Sequence, residues 1–291
     1  PKLWNNAYKC FKKKIRMYPA DVLEKNLEKI CKNLKENKNF LGSSVTIPFK
    51  EKIMTYLDSI DINARTIGSV NTIVRKKNKL IGYNTDYNGS LYSLKKTKIT
   101  KKNKKILIVG CGGAGKACIV SAFNYFNNSE IILFNRSKKK LNMFVKNLKK
   151  TNENKIRQIS SYNDFLKFKK IDLIINTTSV GFDNWVKEKK AFYNLINYSP
   201  LAKIKTVKIK NKENNIFYQK NLKNIENNIL SSIKVLSNIN KTFIFDIIYN
   251  PSKTVLLKIG DLFGHKNFNG IDMNLIQAVQ GFRIVNAENK S

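Results

Sequence analysis

The second half of the chain alternates short apolar runs with amphipathic stretches. Runs with no polar interruption predict buried strands, and stretches with apolar residues three and four apart predict helices. The predicted strands are 105–109, 130–135 and 171–176, and the predicted helices between them are 113–126 and 137–149. Because strand and helix alternate in this order, we expect a parallel sheet with helices on both faces.

The same alternation resumes near the C-terminus. Residues 242–248 form an apolar run that predicts a strand, and 252–263 predict a helix that Gly264 ends. Between 183 and 240 the periodicity is lost among Lys, Asn and Ile residues. This loss predicts a long, poorly ordered insertion in the sheet-forming part of the chain.

The first part of the chain has a mixed pattern. Apolar positions recur at helical spacing from Leu23 to Leu34, and Asp21 before them predicts the helix cap. Residues 44–47, followed by a proline, predict a short strand, and 49–57 predict a helix. Further along, two alternating segments predict a pair of strands, and an aspartate predicts the cap of the next helix. These segments are 69–75 and 80–84, and the aspartate is Asp86.

The chain, at 291 residues, is long enough for two domains. A Lys- and Thr-rich stretch, 95–104, is the natural boundary between them. We expect a small mixed-sheet α/β domain over 1–93 and a doubly wound α/β domain over 94–271. The final helix is predicted within 272–291, where it would pack back on the first domain.

A glycine-rich turn follows the strand at 105–109. The turn, Gly110-Cys-Gly-Gly-Ala-Gly-Lys116, opens a helix, so backbone N–H groups and a helix N-terminus converge on one phosphate-sized place. It fits the dinucleotide pattern G-x-G-x-x-G and comes within one residue of a nucleoside-triphosphatase pattern. That second pattern needs a Ser or Thr hydroxyl on Mg²⁺, and Ala117 has none.

The next predicted strand ends in a basic turn, Asn135-Arg136-Ser137-Lys138-Lys139-Lys140. A site for NAD would place Asp or Glu there to hold the ribose 2′-hydroxyl. Cations and a hydroxyl suit a 2′-phosphate instead, so the sequence predicts a Rossmann-like domain that binds NADP. The alternative, from these residues alone, is a structural strand–turn–helix with a solvated lysine run.

Composition narrows the remaining functions. The net charge of +35 comes from lysines spread along the whole chain without a recognition motif, which indicates background composition rather than a nucleic-acid site. The chain has no run of 18 apolar residues, and its four cysteines lack metal-ligand spacing. We therefore expect no nucleic-acid or membrane partner, no metal, reduced thiols and a cytoplasmic location. His265, the only histidine, is expected at the surface, so proton transfer falls to other groups.

Polar side chains cluster at the predicted strand ends of the first domain. Thr46 and Lys50 flank the proline after the first strand, and Asn71, Asn84 and Asp86 border the strand pair. Asn, Thr and Asp are weak strand formers, and taken singly they are explained as caps and turns.

Taken together, these segments resemble the shikimate dehydrogenase family. The family's patterns occur in family order along the chain outside 183–240, and as a set they are far more specific than any one motif. They are Ser44-Val-Thr-Ile-Pro-Phe-Lys50, Gly68-Ser-Val-Asn-Thr72, Asn84-Thr-Asp-Tyr-Asn-Gly89, Gly110-Cys-Gly-Gly-Ala114, Asn135-Arg-Ser-Lys-Lys-Lys140, Ile174-Ile-Asn-Thr-Thr-Ser-Val-Gly181, Asp246-Ile-Ile-Tyr249, Lys253-Thr254 and Gly270-Ile-Asp-Met-Asn-Leu-Ile-Gln277.

The resemblance implies NADP-dependent interconversion of 3-dehydroshikimate and shikimate, on the route to aromatic amino acids. Lys50 would exchange a proton with the substrate oxygen, and Asp86 would set its protonation and orientation. The other residues carried over fall into four groups. These are Thr46, Asn71, Tyr249 and Gln277 for the substrate; Gly110, Cys111, Gly112, Gly113 and Ala114 for the pyrophosphate; Asn135, Arg136, Ser137, Lys138, Lys139 and Lys140 for the 2′-phosphate; and Ile247 and Gly270 near the nicotinamide.

Three departures leave alternatives open. The family opens with a Ser-x-Ser-Pro motif whose serines bind the substrate carboxylate, and Pro1-Lys-Leu-Trp-Asn5 is similar to the residues after it. We thus expect an N-terminal truncation and a domain cut from a longer, multi-enzyme polypeptide, acting as a monomer or homodimer. Ser44 replaces the usual Asn, and 183–240 is an insertion. The alternatives are a relative that acts on quinate and a degenerate, non-catalytic NADP-binding domain.

Overall fold

The computed structural model describes residues 1–148, 154–188, 191–205 and 214–287. Its α-helices are α1 Lys2–Cys10, α2 Leu27–Glu36, α3 Ile62–Ile67, α4 Asp86–Lys96, α5 Gly113–Tyr125, α6 Lys138–Asn147, α7 Asn214–Ser237, α8 Val255–Leu262 and α9 Ile271–Ala287. Its strands are β1 Gly42–Ser44, β2 Ser59–Ile60, β3 Thr72–Lys76, β4 Lys79–Tyr83, β5 Lys105–Val109, β6 Glu130–Phe134, β7 Lys155–Ile159, β8 Leu173–Asn176, β9 Trp185–Glu188, β10 Ala191–Asn194, β11 Phe243–Asp246 and β12 Lys266–Phe268.

The chain forms two compact units. The first contains Pro1–Ser93, Lys116–Ser121 and the chain from Asp272, and the second contains Leu94–Gly115 and Ala122–Ile271. In the first unit β1, β3, β4 and β2 pair in that order, antiparallel except for the β2–β4 pair. Helix α9 lies against this sheet, since Trp4 donates to the carbonyl of Ala278 and Val285 is buried with Val74.

The second unit is built on a parallel sheet. Among the described residues its strand order is β12-β11-β8-β5-β6-β7, and every neighbouring pair is parallel. The apolar runs at β5 and β8 are wholly buried because helices cover a parallel sheet on both faces. Strand order reverses at β5, and in such sheets ligands bind beyond the carboxyl ends of the strands at this point. The glycine-rich turn occupies that position.

The prediction of a poorly ordered segment over 183–240 is wrong for its described part. Strands β9 and β10 form a hairpin, and α7 runs for 24 residues. Val235, Leu236 and Ile239 belong to the same buried cluster as the sheet residues Ile174 and Ile244. Apolar residues of α7 do recur at helical spacing, at Leu222, Ile225, Ile229, Ile233 and Leu236, so the expected loss of periodicity among the Asn and Lys residues was wrong. Residues 189–190 and 206–213 lie outside the described residues.

Several smaller expectations also need correction. Asp21 does not cap the helix near Leu27, because a 3₁₀ turn over Glu24–Asn26 precedes α2. The strand predicted at 44–47 is instead β1, which ends at Ser44, and within 49–57 the chain forms a 3₁₀ helix, Lys52–Tyr56. A cis peptide bond between Ile47 and Pro48 separates them.

His265 is buried rather than exposed, with 6% of its surface accessible. Its Nδ1 accepts from the backbone N–H of Thr242, and its Nε2 lies 3.2 Å from the carbonyl of Leu236. Burial lowers the pKa of the imidazole below its usual value. The side chain therefore links α7 to the start of β11 and has a structural role.

Candidate active site

Lys50 and Asp86 meet in the first unit. Lys50 follows the Thr46–Phe49 turn, in which the N–H of Phe49 donates to the carbonyl of Thr46, and the Lys50 carbonyl accepts from Val70. Asp86 opens α4 directly after β4. The Lys50 Nζ lies 2.6 Å from Asp86 Oδ2, and the two side chains are only 17% and 7% exposed. A charged donor and acceptor are thus held together with little water around them, as a proton-transfer site requires.

The second group of predicted substrate residues is an amide pair, of which Asn71 is buried and Gln277 is partly exposed. Asn71 Oδ1 accepts from the Thr85 N–H at 2.8 Å and from the Thr72 hydroxyl at 3.1 Å. Its Nδ2 donates to Gln277 Oε1 at 3.4 Å. Because the carbonyl oxygen is already engaged, Asn71 can offer a ligand only N–H. Gln277 reaches this pair from α9, and its Nε2 donates to Asn274.

Thr46 and Tyr249 complete the predicted substrate set. Thr46 is exposed in the turn before Lys50. Tyr249 belongs to the second unit, just after β11, and is 48% exposed. Both residues are therefore accessible to solvent, and Thr46 stands four residues from Lys50.

The glycine-rich turn is shaped by close backbone approaches. Gly110 has φ +110°, a conformation that disfavours a side chain, and a Cβ there would lie 2.5 Å from Thr177 Oγ1. A Cβ on Gly115 would lie 2.7 Å from the same oxygen. Gly112 differs, since it caps α5 with φ −83° and a Cβ there would meet nothing within 4 Å. Open space beside a helix N-terminus is what a pyrophosphate needs, so the turn fits a dinucleotide.

The rest of the predicted pyrophosphate group lies on either side of Gly112 in the chain. Cys111 is buried, and Gly113 and Ala114 start α5. All four cysteines are free thiols, and only Cys10 is exposed. Burial raises the pKa of Cys118 to about 12, so its thiol stays protonated.

The basic turn after β6 presents cations at the start of α6. Asn135 Nδ2 donates to the Ser137 carbonyl at 2.9 Å, and Ser137 Oγ accepts from the N–H of Lys140 as the helix cap. The long basic side chains there are exposed, namely Arg136, Lys138, Lys139 and Lys140. A helix N-terminus surrounded by cations suits a phosphate dianion.

The residues predicted near the nicotinamide approach each other closely. Gly270 is buried, and a Cβ there would overlap the Ile247 carbonyl oxygen at 1.8 Å, so only glycine fits. The N–H of Gly270 donates to the Ile248 carbonyl. The backbone at Ile247 and Ile248 is therefore held in place by its close contact and hydrogen bond with Gly270.

Sequence reasoning gave no role to several residues of these sites. Thr85 fixes Asn71, and Thr177, which donates to the Val109 carbonyl, explains the glycines of the turn. Lys116, the lysine of the rejected triphosphatase pattern, forms an ion pair with Glu51 at 3.0 Å. Asp246 is buried beneath the Ile247 segment. Hydroxyls and carboxylates such as these act through contacts between distant segments, which a linear pattern does not reveal.

Two negative findings hold for the described part of the chain. No group of three or more His, Cys, Asp or Glu side chains there is arranged to hold a metal ion. In the same residues, no helix has the length and apolar character that crossing a membrane requires.

The parallel sheet and its glycine-rich turn define a Rossmann-like α/β protein. A family model for the shikimate dehydrogenase substrate-binding domain matches residues 1–73, and one for shikimate / quinate 5-dehydrogenase matches 93–204. These matches, together with the relatives described next, show that the chain belongs to the shikimate dehydrogenase family.

Proteins curated as shikimate dehydrogenase (NADP(+)) are similar over the whole chain. The one from Methanosphaera stadtmanae is 33% identical over 298 residues, covering 100% of this chain and 88% of the relative. The one from Methanococcus maripaludis is 31% identical over 287 residues, covering 98% and 86%. A crystal structure of a shikimate dehydrogenase in complex with NADP+ superposes with a TM-score of 0.72 at 29% identity, covering 98% of this chain and 84% of the other.

Proposed function

We propose that this protein catalyses the reversible NADPH-dependent reduction of 3-dehydroshikimate to shikimate, a step of aromatic amino acid biosynthesis. Family membership supports the reaction, since the relatives carry the name shikimate dehydrogenase (NADP(+)). The observation that carries the mechanism is the Lys50–Asp86 pair, with its 2.6 Å contact and low exposure.

Lys50 is the proton donor in the direction of reduction. NADPH supplies the hydride that the carbonyl carbon accepts, and the carbonyl oxygen must gain a proton as it becomes a hydroxyl. The Lys50 ammonium gives up that proton, and in oxidation the neutral amine takes it back. Asp86 accepts a hydrogen bond from Lys50 Nζ and keeps the ammonium in one orientation. Its negative charge also offsets the cost of holding a cation in a site with little water.

Polar residues of the first unit bind the substrate in this proposal. Asn71 donates its free N–H to a substrate oxygen, and the Gln277 amide binds a neighbouring oxygen. Thr46 donates a hydroxyl near Lys50, and the family resemblance assigns a substrate contact to Tyr249 as well. Fixed amides favour a polyhydroxylated ring because each unmet hydrogen bond at a buried amide costs about 1–3 kcal/mol.

The second unit binds NADP in this proposal. Gly110 to Ala114 hold the pyrophosphate at the N-terminus of α5, and the basic turn from Asn135 to Lys140 holds the 2′-phosphate. The Ile247 and Gly270 backbones lie beside the nicotinamide. We propose domain boundaries at 93/94 and 271/272, a division that the two compact units support, with Lys116–Ser121 as an exception. The protein needs no nucleic acid, membrane or metal for this reaction and acts as a monomer or homodimer.

A steady-state assay with NADPH and 3-dehydroshikimate tests the function. Lys50→Ala is expected to lower kcat by about 10²–10⁴-fold, because that is the usual contribution of a positioned general acid. Lys52→Ala is the matched control, since Lys52 is two residues away and pairs with Glu24 at the surface. An unchanged kcat in Lys50→Ala would refute the assigned role.

Quinate is the second candidate substrate, because the matching family model carries both names. Oxidation of shikimate and quinate by the same enzyme with NADP+ distinguishes the two. We expect the higher kcat/KM with shikimate. Absence of turnover with either acid, in a protein that still binds NADPH, would favour the non-catalytic alternative.

A further inference from the structure

Asp246 is a buried carboxyl to which the proposed mechanism gives no part. It ends β11, and its surface is 0% accessible. Oδ1 accepts from Ile248 N–H at 3.1 Å and from Asn176 Nδ2 at 3.0 Å, and Oδ2 accepts from the Thr254 hydroxyl at 2.7 Å. Three donors from three parts of the second unit therefore converge on one side chain.

Each of these donors fixes a different element. Asn176 ends β8, the strand paired in register with β11, and its carbonyl accepts from Ile247 N–H at 3.0 Å. Ile248 is two residues after Asp246, so this bond closes an Asx turn that bends the chain away from the sheet. Thr254 caps α8, since its Oγ1 accepts from Leu257 N–H. Asp246 thus connects two strand ends, a turn and a helix start.

The segment held by these contacts is Ile247–Tyr249. Its backbone is bound at Ile247 N–H, at Ile248 N–H and at the Ile248 carbonyl, while Tyr249 remains half exposed. A buried carboxyl contributes little net stability, because desolvation offsets most of the gain from its hydrogen bonds. Burial also raises the pKa of this carboxyl, to about 7. Its distinctive effect is geometric, since a hydrophobic replacement could not hold three donors.

We propose that Asp246 is a positioning residue of the reaction: it fixes the Ile247–Tyr249 segment through Ile248 N–H, Asn176 and Thr254. The inference rests on the proposed function, in which Ile247 lies beside the nicotinamide and Tyr249 contacts the substrate. Asp246 itself touches neither ligand. Positioning matters at this place because small displacements of groups that orient reactants lower rates strongly.

Two substitutions at Asp246 separate geometry from charge. Asp246→Asn keeps an oxygen for Ile248 and Asn176, and Thr254 can accept from the new amide, so ligand binding is expected to stay within about twofold of the original protein. Asp246→Ala removes every acceptor. It is expected to raise the Kd for NADPH and the KM for 3-dehydroshikimate by about tenfold each, less than the roughly hundredfold loss of rate that a 1 Å misplacement can cause.

The measurements include readouts that do not depend on turnover. NADPH fluorescence gives the Kd, and hydrogen exchange gives the opening of the Ile247 and Ile248 amides. In Asp246→Ala these amides should exchange at least tenfold faster, while amides of β5 keep their protection. If Asp246→Ala does not fold, Thr254→Val removes the hydroxyl that donates to Asp246 and also caps α8, and it should give a smaller rise in Kd. Thr254→Ser keeps this hydroxyl and should leave the Kd unchanged.

Ser161→Ala is the control for a purely structural effect. Ser161 caps a short helix in the same unit, has its hydroxyl at the surface and takes no part in the sites described. It should lower stability without changing Kd, KM or exchange at Ile248. If Asp246→Ala, or Thr254→Val in its place, behaves like Ser161→Ala, the inference is overturned. If the protein binds NADPH but lacks turnover, the proposed function fails, while the exchange and Kd data still decide this inference.

Discussion

In the described part of the first unit, most buried polar side chains form hydrogen bonds, but the hydroxyl of Ser69 does not. Asn84 Nδ2 donates to the Ser69 carbonyl, and Asn71 Oδ1 is saturated by its neighbours. The Ser69 hydroxyl, by contrast, has no hydrogen-bond partner among the described residues, although the side chain is wholly buried. In the shikimate dehydrogenase family, the pattern that corresponds to Gly68–Thr72 has Ala in the place of Ser69. The extra hydroxyl therefore costs stability without an evident structural return.

Ser69→Ala is expected to leave the protein as stable or to stabilise it by about 1 kcal/mol, because it removes an unpaired buried polar group. Urea denaturation monitored by circular dichroism measures the change. Ser90→Ala is the matched control, since Ser90 is equally buried but its hydroxyl lies 2.6 Å from that of Ser121. Removing that partner should destabilise the protein by about 1–3 kcal/mol. A clear loss of stability in Ser69→Ala would mean that the hydroxyl has a partner.

The residues of the candidate site could be predicted from the sequence where they belong to short motifs. Lys50 and Asp86 are 36 residues apart, and only the combined motifs indicated that they meet. Thr85 and Asp246 were named within motifs without a role, because their effect depends on what folds against them. His265 was misjudged because its position after a helix-ending glycine is typical of the surface, and only the packing of α7 buries it.

At the scale of elements, the join between β5 and α5 has two kinds of glycine. Gly110 is required by the backbone and by Thr177, whereas Gly112 has ordinary dihedral angles and open space around its missing side chain. A structural turn would need only the first kind. A phosphate site needs the second as well, since a methyl group there would stand where the ligand approaches.

Gly112→Ala is therefore expected to fold normally and to bind NADPH at least about tenfold more weakly, because the methyl group blocks approach to the helix N-terminus. Gly110→Ala, in contrast, is expected to lower the stability of the protein in addition to its affinity for NADPH, because it forces a side chain against Thr177. Thermal denaturation and NADPH fluorescence measure the two effects. Unchanged NADPH affinity in Gly112→Ala would contradict the placement of the pyrophosphate.

Elements with uninterrupted apolar runs were predicted within a few residues, whereas several others were missed, among them α1, β7, β12 and the long helix α7. β5, α5 and β6 follow the pattern because their apolar residues are uninterrupted or evenly spaced. Helix α7 does have apolar residues three or four apart, at Leu222, Ile225, Ile229, Ile233 and Leu236, but the many Asn and Lys residues around them were interpreted as disorder. Packing of part of this apolar face in the second unit's core stabilises the helix.

At the scale of the whole molecule, the net charge of +35 attracts every anion to some degree. This diffuse field acts on both NADPH and NADH, and more strongly on NADPH because its 2′-phosphate adds about two negative charges. The basic turn after β6 is different, because it concentrates exposed cations at a helix start where the 2′-phosphate is proposed to bind. The part of the NADPH preference that depends on this turn should therefore be lost when its lysines are replaced, whereas the contribution of the overall charge should remain.

Salt and substitution together separate the two effects. Combining Lys138→Gln, Lys139→Gln and Lys140→Gln should raise the KM for NADPH and leave that for NADH nearly unchanged, since a 2′-phosphate adds about two negative charges. Lys146→Gln, on the exposed far end of α6, should change neither value. Raising salt from about 50 to about 500 mM should shrink the NADPH preference of the original protein by screening these contacts. If the triple variant raises both KM values equally, the turn contributes only diffuse charge, and the 2′-phosphate is bound elsewhere.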